Sequence, residues 1–284
     1  MTASPIKSHP KTIKKTHRSS ALGSNIESAR ETDQIELPNG LEAVMGPNCV
    51  QAALCARGAK AKVLLVAQGR EGKPLAGQIS QMIGKFSLPI RYVQRSKLDR
   101  FGPHHQGLVL LIKPAKIISL DEFLAALPSG PALILVLDHV NDPHNLGALV
   151  RSAAAFGAKA LIAPIDRSAP TSQAARSASA GACEVVPVIR VVNLPRAIDE
   201  LKKADFWVVG AEAEKGEVLG DFSFPPRCAL ILGGEDHGLG REVAKRLDYM
   251  VNIPLIQSEI VNSLNVSNAG AIVMYAYHNH INKR

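Results

Sequence analysis

"PALILVLDHVNDPHNLGALVRSAAAFGAKALIAP", Pro131 to Pro164, decides the fold. It opens on an unbroken aliphatic run, Ala132 to Leu137, closed by Asp138. A strand with no polar alternation is buried on both faces, as in the middle of a parallel sheet. Asp142, Pro143, His144 and Asn145 fill a turn. "NLGALVRSAAAFG" then predicts a helix that starts near Asn145 and ends at Gly157. "AKALIAP" predicts the next strand. Strand, helix, strand is a βαβ unit, and its two strands run parallel.

The alternation continues towards the C-terminus. "TSQAARSASAG" predicts a small-residue helix, "EVVPVIR" a strand, "LPRAIDELKKA" a helix and "FWVVGAE" a strand. "RCALILGG" and "YMVNIPL" predict two more strands with the helix "GREVAKRL" between them, and a last helix runs from Val266 to about His280. The expected architecture is α/β: an open, mostly parallel sheet with helices on both faces. No internal repeat is present.

Towards the N-terminus a smaller α/β pattern fills residues 39–113. A helix begins at Pro47 in "PNCVQAALCA", and "AKVLLVA", "LPIRYVQ" and "QGLVLLIKP" predict strands. A weaker helix covers Gly77 to Lys85, and "SKLDRFG" suggests a short helix capped by Ser96 and ended by Gly102. Residues 114–130 contain a short amphipathic helix between prolines and form a linker, so the larger domain is 131–284. Residues 1–38 lack periodicity and are expected to be disordered.

The chain has 284 residues, 46% hydrophobic but only 4% aromatic, so its core should be aliphatic. No apolar run approaches the roughly 18 residues of a membrane span. The formal charge is +8, which favours a polyanionic partner such as nucleic acid. Lys7, Lys11, Lys14, Lys15 and Arg18, with no acid before residue 21, hold much of that excess in the tail. The tail has no continuous apolar stretch of the secretory kind, and reads as a disordered arm, an RNA-contacting segment or a transit peptide. Cys49, Cys55, Cys183 and Cys228 show neither C-x-x-C pairing nor zinc spacing, so they are expected as free thiols in a reducing compartment. His139, His144 and His237 have no acidic partner at ligand spacing, and no metal is expected.

Three stretches that follow strands carry the chemistry, because open α/β sheets bind ligands beyond the carboxyl ends of their strands. In the first, Asn145 is either a helix cap or a ligand group. Arg151, on an apolar helix, suits a phosphate through its planar fork. In the second, Gly233 and Gly234 let a ligand approach the backbone, while Glu235 and Asp236 disfavour a nucleotide phosphate. In the third, "SLNVS", Ser263 to Ser267, places small polar groups ahead of a helix, as a cap or as a cradle for a ligand. No G-x-G-x-x-G follows the first strand of either domain, which argues against a dinucleotide-dependent oxidoreductase.

Together these stretches resemble the SpoU (TrmH-type) family of RNA ribose 2′-O-methyltransferases in the SPOUT superfamily. The family's N-x-G-x-x-x-R matches Asn145, Gly147 and Arg151. Its G-x-E-x-x-G matches Gly233, Glu235 and Gly238, and its S-L-N-V-S matches Ser263 to Ser267 without a gap. "VMGPNCVQAAL" resembles the opening of the family's substrate-binding domain, with Met45 in place of an aromatic residue. "HHQGLVLLIKP" matches its H-Q-G element, which points to the RlmB-like branch that modifies a guanosine of large-subunit ribosomal RNA.

The resemblance implies a SPOUT-type C-terminal domain with a trefoil knot and a small N-terminal α/β RNA-binding domain. It implies S-adenosylmethionine as cofactor, bound by Gly233, Gly234, Ile253, Leu264 and Asn265, with Gly233, Ile253 and Leu264 contacting the adenosine through their backbones. Asn145, Arg151, Glu235 and Asn265 would line the reacting site. A guanidinium holds its proton to a pKa of about 12 or more, so Arg151 is expected to grip a phosphate rather than act as base. Glu235 either takes part in catalysis or positions its neighbours. His105 and Gln106 would contact RNA, unless the H-Q-G turn is structural. Further expectations are a homodimer, a ribosomal RNA substrate with tRNA as alternative, no membrane, and a cytoplasmic or mitochondrial setting. The competing reading is a non-catalytic RNA-binding ribosome-assembly factor that kept the fold.

Overall fold

The alternation of side-chain direction along β5 (Ala132–Asp138) sets the layering of the larger domain. Leu133, Leu135 and Leu137 enter one core with residues of the helices Pro143–Ala155, Gln173–Ala178 and Val266–Asn282, while Ala132, Ile134 and Val136 enter a second with residues of the helices Leu120–Ala126, Leu194–Lys203 and Arg241–Ala244. Both faces of the strand are therefore covered, as its unbroken aliphatic run predicts. The computed structural model describes residues 38–283 except 71–74, 76, 167, 170, 171, 213, 214, 235–237 and 257–262. The expectation of a disordered tail over residues 1–38 lies outside the described residues, save for Pro38.

The first domain comprises β1 (Glu42–Met45), α1 (Pro47–Arg57), β2 (Ala61–Ala67), α2 (Gly77–Phe86), β3 (Ile90–Val93), α3 (Arg95–Asp99) and β4 (Leu108–Ile112). Its sheet has the order β1-β4-β2-β3, with only β2 and β3 parallel. α1 and α2 pack on one face, and Leu98 of α3 with Phe101 packs on the other. Ser96 is not a cap: α3 starts one residue earlier, and Gln94 occupies the N-cap without a side-chain bond.

α4 (Leu120–Ala126) follows, closed at its start by a reciprocal capping box between Ser119 and Glu122. The second domain then runs β5, α5 (Pro143–Ala155), β6 (Ala160–Pro164), α6 (Gln173–Ala178), β7 (Val188–Val191), α7 (Leu194–Lys203), β8 (Trp207–Ala211), β9 (Glu217–Val218), β10 (Arg227–Gly233), α8 (Arg241–Ala244), β11 (Tyr249–Asn252) and α9 (Val266–Asn282). A short 3₁₀ turn, Ala182–Glu184, follows α6. The sheet order is β7-β6-β5-β10-β8-β11-β9, and every pair is parallel. The chain steps outward from β5 to β7, returns to β8 on the far side, and later inserts β10 between them. This reversal opens a crevice beyond the carboxyl ends of β5, β10 and β8.

All four cysteines are free, and only Cys55 is exposed. Burial pushes the Cys49 thiol up to about 11 and raises Cys183 and Cys228 as well. A thiolate-specific reagent at pH 7.5 should therefore label one site per chain rapidly, and Cys55→Ser should remove that rapid phase. Fast labelling that persists in the variant would contradict this burial pattern.

Candidate functional site

Three strand ends and one helix start build a cavity of about 190 Å³. β8 contributes Ala211 and Glu212, β10 contributes Leu232, Gly233 and Gly234, and Ile253 and Leu255 follow β11. Ser263, Leu264, Val266 and Ala269 close it from the start of α9. Four of the residues expected to hold a cofactor, Gly233, Gly234, Ile253 and Leu264, thus share one cavity. Its walls are mainly aliphatic, with a carboxylate, a hydroxyl and exposed peptide edges between them.

The glycine turn has a steric cause. Gly238 N–H donates to the Gly234 carbonyl at 2.9 Å, which closes the turn. A Cβ on Gly234 would lie 2.3 Å from the carbonyl oxygen of His139, which follows β5. The turn is also tied from below. Asp138, buried at the end of β5, accepts the Gly240 N–H at 2.7 Å through Oδ2. Its Oδ1 lies 2.8 Å from His139 Nδ1, near enough for an ion pair but not aligned as a hydrogen bond. His139 itself has φ 60°, a left-handed conformation uncommon outside glycine.

Asn145 is not the cap of α5. Asp142 caps it, accepting His144 N–H at 2.9 Å, and the Asn145 amide faces the last helix. There Asn265 Nδ2 donates to Asn145 Oδ1 at 3.0 Å. Asn265 caps α9 at the same time, its Oδ1 accepting from the N–H and hydroxyl of Ser267 at 2.9 and 2.6 Å. The first and third motifs therefore meet side chain to side chain, next to the cavity. Asn265→Ala should cost about 1 kcal/mol of stability through the lost cap. Calorimetry should show this as a fall in Tm of a few degrees.

Arg151 is exposed on α5 and does not line the cavity. It stands six residues beyond Asn145, about 9 Å along the axis and on a different face of the helix. Glu235, with Asp236 and His237, lies outside the described residues. His105 and Gln106 lie in the turn before β4 of the first domain, and here one expectation is corrected. His105 is 1% exposed, its Nδ1 accepts the Gly107 N–H at 2.9 Å, and its Nε2 reaches Asp99 Oδ1 at 2.8 Å. With both ring nitrogens engaged, His105 holds the turn in shape and is not placed to contact RNA. Gln106 is exposed beside it, at φ 48°.

Sequence reading missed Glu212. It follows β8 directly, is half-buried on the cavity wall, and sits opposite Gly238. The only signal was an acid at the end of an aliphatic strand. Among the described residues, no group of three or more His, Cys, Asp or Glu side chains is placed to hold a metal. None of the described helices is long and apolar enough to cross a membrane.

Fold and site together define a class, the open α/β enzymes whose ligand lies beyond a glycine turn and a helix start. The model of the SpoU rRNA methylase family matches residues 132–275, and that of the RNA 2′-O ribose methyltransferase substrate-binding domain matches residues 43–117. The chain belongs to the SpoU rRNA methylase family. It is 37% identical over 238 residues to the 23S rRNA (guanosine-2′-O-)-methyltransferase RlmB of Salmonella typhimurium, covering 82% of this chain and 96% of that one. It is also 37% identical over 206 residues to a TrmH family tRNA/rRNA methyltransferase of Staphylococcus haemolyticus, covering 72% and 82%. The fold is that of the SpoU methyltransferase AviRb from Streptomyces viridochromogenes, solved with AdoMet. That structure superposes with a TM-score of 0.68 at 24% identity, over 86% of this chain and 92% of AviRb.

Proposed function

We propose that this chain transfers a methyl group from S-adenosylmethionine to a ribose 2′-hydroxyl of structured RNA, a guanosine of large-subunit ribosomal RNA. One observation carries the reading: Asn145 and Asn265 meet beside a cavity formed by Gly233, Gly234, Ile253 and Leu264. The donor set fits the cofactor. Aliphatic walls suit a flat purine, the peptide groups between them suit its nitrogens, and the Glu212 carboxylate suits a cationic ligand. When bound, the cofactor supplies an activated methyl group on a sulfonium.

The protein must then orient the hydroxyl and help its proton leave. The paired Asn145 and Asn265 amides would orient the ribose. Arg151, exposed on the same helix as Asn145, grips the neighbouring phosphate. Glu235 would act in this turn as catalyst or support.

RNA reaches the site through the first domain. β1, β2 and β3 end where β4 begins, so Arg70, Arg95, Arg100 and Gln106 gather at one end of the small sheet. We assign residues 39–113 to RNA binding, 114–130 to the linker and 131–284 to methyl transfer. The trefoil knot of the family would lie in the C-terminal part of the larger sheet. The second copy of a homodimer would cover the outer face of α9, where Ile272 and Tyr275 are exposed and Tyr275 stacks edge-on against Phe156 at 5.8 Å.

The test incubates the protein with S-adenosylmethionine labelled in its methyl group and with 23S rRNA or bulk tRNA, followed by 2′-O-methyl mapping. One labelled guanosine in 23S rRNA is the expected result. Label in tRNA alone would move the substrate to tRNA. RNA binding without label in either would overturn the reading in favour of an assembly factor.

A further inference from the structure

Four charged side chains at the junction of the two domains form a closed ring. Glu42 and Arg57 come from the first domain, and Arg176 and Glu184 from the second. Arg57 Nε and Nη2 contact Glu184 Oε2 at 2.9 and 2.7 Å, and Nη2 also bonds Glu42 Oε1. Arg176 Nη1 donates to Glu184 Oε1 at 2.8 Å and Nη2 to Glu42 Oε2 at 3.2 Å. Each guanidinium bridges both carboxylates, and each carboxylate oxygen has a partner. The Arg57 and Glu184 side chains are only 8% and 5% exposed, so water screens the central pair weakly. Burial opposes the Arg57 charge, but its bonds to Glu184 and Glu42 outweigh that and hold its pKa above the ordinary arginine value. Arg57 Nη1 also donates to the Lys113 carbonyl, which ties down the chain as it leaves the first domain.

The surrounding contacts leave little slack. A Cβ on Gly181, which precedes the 3₁₀ turn, would lie 2.8 Å from both the Asn48 carbonyl oxygen and the Ala52 Cβ of α1. α6 in turn presses on α5, where a Cβ on Gly147 would lie 2.5 Å from the Ala175 carbonyl oxygen. A packed path therefore runs from α1 through α6 to the helix that carries Asn145 and Arg151.

We propose that Glu42, Arg57, Arg176 and Glu184 form an ionic lock that fixes the first domain at one distance from the cavity, and so selects which ribose of a bound RNA reaches it. The selectivity half rests on the function proposed above, whereas the lock itself does not. The four residues are positioning residues, since none touches the cavity. The ring also explains how two charged surfaces can separate without stranding a charge. Apart, Glu42 still pairs with Arg57, and Glu184 with Arg176.

Two measurements on the full chain test this. The first places nitroxides on Cys55 and on Ala155→Cys, both exposed, and reads the interdomain distance by double electron–electron resonance. One narrow distribution is expected with the ring intact, and a broad one in Glu184→Gln or in Arg57→Leu. The narrow distribution persisting in both variants overturns the lock. Circular dichroism and S-adenosylmethionine binding verify folding, and the milder Glu184→Gln serves if Arg57→Leu fails to fold. The second compares kcat and KM on 23S rRNA. With the lock released, KM for RNA should rise about tenfold at unchanged KM for cofactor, as expected when two linked RNA-binding surfaces lose their fixed spacing. An unchanged KM for RNA together with a broadened distance would overturn the selectivity half. If the parent shows no methyl transfer, the proposed function fails, while the distance measurement still decides the lock.

Discussion

Arg151→Ala is expected to lower kcat for methyl transfer about a hundredfold, through a lost charge-assisted contact in the transition state. The residue is exposed, while Leu149, Val150 and Ala153 around it are buried. It thus presents a cation towards solvent between residues that pack into the core, on the same helix as Asn145. A guanidinium there can take two oxygens of one phosphate at once and fix the ribose beside it. Arg151→Lys separates charge from shape, because an ammonium keeps the charge but loses the fork. The lysine variant should recover only part of the activity, at a level at least tenfold below the parent. Cofactor affinity should hold in both variants, since Arg151 does not line the cavity. Near-full activity of the lysine variant would rule out the forked contact.

The sequence disclosed the elements far better than their neighbours. β5 was legible because an aliphatic run with no polar alternation has one place to go, the middle of a covered sheet. The end of β10 was legible for the same reason, followed by glycines. Helix starts were less so. Asp142, Asn145 and Ser96 are all residue types that cap helices, and composition cannot say which one the backbone uses. The two-residue β9 and the four-residue α8 are too short to leave a period. The insertion of β10 between β5 and β8 was invisible, because β5, β6, β8 and β10 are all apolar runs and composition does not order them.

Contacts between distant segments were the least legible of all. Asn145 and Asn265 are 120 residues apart, and only the resemblance to a family suggested that they act together. Glu212 drew no attention, since an acid after a strand is ordinary. His105 looked like an available ligand, but burial had already committed both its ring nitrogens. The Glu42, Arg57, Arg176 and Glu184 ring joins residues that sequence spacing cannot pair. Local pattern decides elements, whereas a site is decided by which ends the topology brings together.

Gly234→Ala tests that last point directly. The added Cβ would meet the His139 carbonyl oxygen at 2.3 Å, its carbon at 3.0 Å and the His139 Cβ at 3.3 Å. The nearest two of these are backbone atoms, so no flexible side-chain end can simply swing aside. His139 is itself held by its left-handed backbone and by Asp138, which also grips the Gly240 N–H. The turn must therefore give way towards the cavity that Gly233 and Gly234 help to wall. Overpacking of this kind costs about 1–3 kcal/mol. If it falls on the bound state, it corresponds to a roughly 5- to 150-fold rise in Kd for S-adenosylmethionine. Gly84→Ala is the control, because its Cβ would meet nothing within 4 Å, and alanine favours the α2 helix in which it sits. Isothermal titration of both variants reads the difference. A Gly234→Ala variant that binds the cofactor within twofold of the control would mean that the glycine turn is not a wall of the cofactor site.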